Sequence, residues 1–145
     1  MKNNHFFLLI LKIIIFILLF SGQSQAQDVF NFDITEVEIV DNGNTFIGKK
    51  RGTASSENNV HITADNFRYD KILNILYADG DVLVDDKEDG VKIYTQEITY
   101  LKDKEVIFSK TRSKATDKIS SMEWDEFKYN KKLNILNVIG NVIIK

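Results

Sequence analysis

From residue 27 onward, apolar and polar side chains alternate two by two. A strand sends successive side chains to opposite faces, so residues two apart share a face. One such set is Leu76, Ala78, Gly80, Val82 and Val84, and its counterpart sixty residues later is Leu136, Val138, Gly140, Val142 and Ile144. Both sets are apolar throughout, with glycine at the same place. The intervening positions Tyr77, Asp79, Asp81 and Leu83 are mixed. The first set is therefore expected to face inward. Val60, Ile62 and Ala64, then Val91, Ile93 and Thr95, then Met122 and Trp124 form a second inward column. No stretch keeps apolar spacing at i, i+3, i+4 and i+7, so almost no helix is expected beyond the leader.

The alternation recurs because the chain repeats. Phe67 to Leu76 returns as Phe127 to Leu136 without a gap, and a weaker copy around Val91 to Tyr100 lies halfway between. A further shift finds Phe30, Phe32, Ile34, Val37 and Ile39. The period is about 30 residues, with four two-strand copies in one domain over 27–145. Asp41-Asn42-Gly43-Asn44 favours the positive φ angles of a tight turn. Asp70-Lys71, Lys102-Asp103-Lys104 and Asn130-Lys131-Lys132 occupy equivalent places. Three residues rather than two separate Ala64 from Phe67, which points to a β-bulge. Gly80 and Gly140 inside an apolar face imply a bend or a close backbone approach. Such units stack into an elongated, folded-over sheet with one apolar interior and unpaired terminal edges.

The first 26 residues differ in kind. Lys2 precedes an apolar run from Phe6 to Phe20, broken only by Lys12, and Ser24 and Ala26 form a small-x-small cleavage site. This reads as a signal-peptide helix, removed after Ala26. The alternative is an uncleaved anchor, for which the run is short of the roughly 20 residues a bilayer needs. Without the leader lysines the 19 basic side chains fall to 17 against 21 acidic, a net charge near −4. Basic residues are scattered, leaving no footprint for nucleic acid.

Composition narrows the chemistry. With no cysteine there is no disulfide framework, thiol nucleophile, lipid-modified cysteine or cysteine-held metal. His61 is the one histidine outside the leader, and its alternation with Val60 and Ile62 puts it on the outer face. No catalytic constellation, metal site or cofactor is expected, so an enzyme acting on envelope glycans is disfavoured. Asp79, Asp81, Asp85, Asp86, Glu88 and Asp89 read as a solvated acidic loop rather than a calcium site. Lys49-Lys50-Arg51 reads as an exposed turn, with contact to lipid phosphates the alternative.

Ile62-Thr63-Ala64-Asp65-Asn66-Phe67-Arg68-Tyr69-Asp70, followed by Ala78-Asp79-Gly80-Asp81-Val82, resembles the repeat of the OstA-like family. These are periplasmic lipopolysaccharide-transport proteins, the bridge protein LptA and the N-terminal domain of LptD among them. Much of the motif returns at Asp125, Phe127, Tyr129, Gly140, Asn141 and Val142, whereas Gln96 and Thr111 depart from it in the middle copy. The resemblance implies an all-β, taco-like antiparallel jelly-roll in the periplasm, with association to the outer membrane as a further expectation, that shields lipid A acyl chains. It also implies edge-to-edge pairing with other transport jelly-rolls or a second copy. The groove would then be lined by Ile62, Ala64, Leu76, Ala78, Val82, Val84, Ile93, Met122, Trp124, Leu136, Val138, Val142 and Ile144. The bulk of Met122 and Trp124 raises the alternative that the last copy plugs the interior. The chain ends on Ile144-Lys145 without a closing polar tail, which favours a truncated or short form over a complete bridge protein. The competing reading is an exported, self-assembling structural β-repeat that binds no lipid.

Overall fold

The structure, a computed structural model, describes residues 30–116 and 120–145. The expected leader lies outside the described residues. Among the described residues, twelve antiparallel strands form one sheet: β1 (Asn31–Asp33), β2 (Glu36–Val40), β3 (Thr45–Ser55), β4 (Val60–Asp70), β5 (Ile75–Asp86), β6 (Val91–Leu101), β7 (Val106–Ser109), β8 (Ser113–Thr116), β9 (Ser121–Trp124), β10 (Glu126–Asn130), β11 (Ile135–Ile139) and β12 (Ile143–Ile144). Single 3-10 turns at Asp41–Gly43 and Lys102–Lys104 are the helical elements among the described residues.

The sheet is two leaves sharing four long strands. On the first leaf, β2, β3, β4, β5, β6, β7, β10 and β11 pair in that order. On the second, β1, β3, β4, β5, β6, β8, β9 and β12 do so. Between the leaves the register breaks in every long pair, between Lys49 and Gly52, between Thr63 and Asn66, and between Asp79 and Val82. The bulge expected between Ala64 and Phe67 is thus one of a row. A row of bulges bends every strand at the same level, and the sheet folds over with the two leaves face to face.

Glycine makes the fold line possible. Gly80 has φ +81, and a Cβ there would lie 2.7 Å from Asp65 Oδ2. Gly140 has φ +75, with 2.6 Å to Asp125 Oδ2. Both conformation and space therefore demand glycine at these two sites. Arg51 closes the first bend against Asp65 at 3.0 Å and Asp81 at 3.1 Å, and Arg112 closes the second against Asp125 at 3.0 Å. These ion pairs are about half exposed and orient the bend more than they stabilise it.

Several expectations are corrected. Lys49, Lys50 and Arg51 lie within β3 rather than in a turn, and each meets a carboxylate. The acidic run is not simply solvated, because Asp86 is fully buried. Val142 and Ile144 were expected inside and are 47% and 68% exposed. Ile144 lies in β12, the last described strand of its leaf, and Val142 in the connection just before it, so no further described strand covers either residue.

Substituting Gly80→Ala should cost about 2–3 kcal/mol, from backbone strain plus the clash with Asp65. Gly43→Ala, at φ +90 with nothing within 4 Å, should cost about 1 kcal/mol, from strain alone. Urea denaturation of both variants measures the difference; equal losses would contradict the close approach.

Candidate lipid-binding interior and its polar lips

Cross-strand register assembles the inward columns into rows. On the second leaf Phe32, Ala54, Ile62 and Val84 stand opposite one another in successive strands. Ile93, Ala115, Met122 and Ile144 continue the same row. Directly opposed residues share a face, so eight apolar side chains cross the whole leaf. On the first leaf Ile39, Phe46, Tyr69, Leu76, Tyr100, Ile107, Tyr129 and Leu136 make the matching row.

Burial follows position along these rows. Ile62, Ala64, Leu76, Ala78, Val82, Val84, Ile93 and Trp124 are buried, whereas Met122, Leu136 and Val138 are half-buried against the core. Ile144 shares the face of Met122 and is exposed only because its row ends there. The interior is filled with side chains. Phe32 stacks on Phe46 at 4.1 Å across the leaves, and Phe30 meets Tyr69 and Tyr100 edge-on at 5.2 and 5.4 Å. Trp124 is buried beside Phe127, and its indole Nε1 has no hydrogen-bond partner. His61 lies on the outer face, its Nδ1 2.9 Å from Ser55 Oγ.

Where the free ends of the leaves meet, the interior gives way to polar groups that the sequence pattern did not bring together. Tyr69, Tyr100 and Tyr129 share the first-leaf row, and each sends its hydroxyl toward a lip. Tyr69 donates to Asn74 at 2.6 Å and Tyr129 to Asp86 at 2.7 Å, while Tyr100 Oη accepts from Asn58 at 3.2 Å. Burial raises all three phenol pKa values, keeping them protonated. Their spacing of about 30 residues was the available signal. Lys131 reaches Asp86, Glu88 and Asp89 at 3.2, 3.0 and 2.8 Å. Burial pushes its pKa down, but the hydrogen bonds to Asp89, Glu88 and Asp86 outweigh burial and hold it above the ordinary lysine value. A cavity of about 330 Å³ lies here, lined by Asn58, Glu88, Asp89, Glu105, Lys131, Lys132 and Asn134. Among the described residues no group of histidine and carboxylates is arranged to hold a metal ion.

The family model for lipopolysaccharide-assembly, LptC-related proteins matches residues 25–144. The chain belongs to this family. The resemblance to the OstA-like transport proteins holds. This LptC-related chain is also similar to a solved structure from Pseudomonas aeruginosa. That structure is LptH, described as the LptA homologous periplasmic component of the conserved lipopolysaccharide transport device. The TM-score is 0.70 at 12% identity, over 84% of this chain and 97% of that one. At such identity the likeness establishes the jelly-roll fold alone. No curated protein matches the chain.

The lips make stability pH-dependent. The hydrogen bond from Lys131, opposed by burial and helped by the lysine charge and by Tyr129, lowers the pKa of Asp89. A carboxylate with a depressed folded-state pKa contributes stability above its unfolded value, near 3.9, and that stability is lost as pH falls through the folded value. Urea midpoints should therefore drop on acidification from about pH 5 to about pH 3. In Asp89→Asn the drop should be shallower; an unchanged slope would contradict the Lys131 contact.

Proposed function

We propose that this LptC-related chain is a non-enzymatic carrier in periplasmic lipopolysaccharide transport, and that lipid A acyl chains lie between its leaves. The observation that carries this reading is the uninterrupted apolar row from Phe32 to Ile144, buried at its centre and open at its end. Each methylene kept from water is worth about 0.8 kcal/mol, so an acyl chain of a dozen methylenes costs on the order of 10 kcal/mol to expose. Two facing aliphatic and aromatic rows remove that cost without any chemical step. Because the interior is filled, an entering chain displaces side chains and parts the leaves.

The edges supply the second half of the proposal. Ile135 and Ile139 on β11, Val37 and Ile39 on β2, and Ile143 and Ile144 on β12 are all exposed. An uncovered strand invites another strand to pair with it. Neighbouring transport jelly-rolls, or a second copy, are the partners that fit. Residues 1–26 would deliver the chain to the periplasm. Whether the leader is cleaved or kept as an anchor is read directly from the mass of the exported protein. The filled interior is what favours the competing reading, a self-assembling repeat that binds no lipid.

Photo-reactive residues separate the two. Placed at Met122 or Leu136, half-buried on the inner face, they should form adducts with lipopolysaccharide. Placed at Tyr77 or Tyr94, exposed on the outer face, they should not. Equal labelling of both faces, or none, would sink the carrier reading.

A further inference from the structure

The two lips are joined by polar contacts made from inward-facing positions. Asp86 follows Val82 and Val84 in the inner column of β5 and stands opposite Val60 and Val91. A carboxylate has no partner of its own in an apolar column, and burying one uncompensated is costly. It is met from the other leaf. Tyr129, in the inner row of β10, donates to Asp86, and Lys131 at the β10–β11 turn pairs with it. Lys131 is itself 8% exposed and draws in Glu88 and Asp89 from the loop after β5.

A second tie lies farther along the same seam. Asn58, in the loop between β3 and β4, donates to Tyr100 Oη and to Glu105 Oε1, both at 3.2 Å. Phe30 seals the remainder, 3% exposed between Tyr69 and Tyr100 and with Lys102 Nζ 5.9 Å from its ring centroid. On this side the apolar interior ends at Phe30 and at these hydrogen-bonded side chains. A buried ion cluster adds little net stability compared with apolar packing, and its best-attested use is to fix one arrangement that can be switched.

We propose that this seam is the portal through which an acyl chain enters the interior, with the Lys131 cluster as its latch. The inference rests on the carrier reading above and adds a lateral route, through the lips, to the open end at β11 and β12. Entry breaks the Lys131 and Asn58 ties and swings Phe30 aside. Afterwards the same groups close over the chain.

The absence of native cysteine makes the test clean. Asn58→Cys with Glu105→Cys places a reducible staple across the seam, and a photo-reactive residue at Leu136 reports lipopolysaccharide reaching the interior. In the unstapled protein adducts should form; if none form, the carrier reading fails and this inference with it. With adducts established, oxidation of the staple should lower their yield at least about tenfold against the same protein reduced, since the binding-competent fraction scales apparent affinity. Equal yields in both states would overturn the portal and leave the carrier reading standing. Lys131→Met should raise the yield at limiting lipopolysaccharide, and an unchanged or lower yield in the folded variant would overturn the latch. Should that variant not fold, Asp89→Asn removes one tie to Lys131 and is held to the same criterion.

Discussion

The line of broken register across β3, β4 and β5 is the constraint on which the rest depends. Unbent, the twelve residues of β5 would span about 36 Å, and a sheet of such strands would leave its apolar face in water. Breaking the pairing at one level in every long strand turns that face on itself. Asp65 against Gly80 and Asp125 against Gly140 set the bend twice, sixty residues apart. Asp65 and Asp125 each take an arginine, and Asn141 adds a 2.7 Å hydrogen bond to Asp125. The middle copy, which lacks the glycine, fills its corner with a cluster of hydroxyls from Thr95, Ser109, Thr111 and Ser113.

Folding the sheet creates two kinds of boundary with different physics. Along the outermost described strands the interior ends in exposed isoleucines, which suits continuation by another sheet. Along the lips it ends in tyrosine hydroxyls, carboxylates and a buried lysine, which suits closure. The three tyrosines link the domains of packing and polarity, since each ring belongs to the apolar row and each hydroxyl to the lip. A transport role needs both boundaries, one to pass cargo on and one to admit it.

Much of this was legible in the chain because strand alternation is local. Leu76, Ala78, Val82 and Val84 face inward as their spacing implies, and the extra residue before Phe67 is a bulge. Alternation gives the face of a residue but not what covers it, which is why Ile144 on the terminal strand and Val142 just before it are exposed. Lys131 and Asp86 were illegible for another reason. They lie 45 positions apart on opposite leaves, and within an acidic run Asp86 looks like any solvated carboxylate. Only the fold-over makes them neighbours. The family match, by contrast, was visible in the repeated motif around Tyr69 and Tyr129.

The central claim is that an acyl chain lies between the leaves, and Trp124 reports on it directly. It is the single tryptophan of the chain, and it is buried on the inner side. Titration with lipid A carrying bromine on its acyl chains should quench Trp124 fluorescence, because bromine quenches on contact, while the unbrominated lipid should leave the intensity largely intact. Binding of the brominated lipid with no loss of Trp124 emission would place the chains elsewhere and contradict the account.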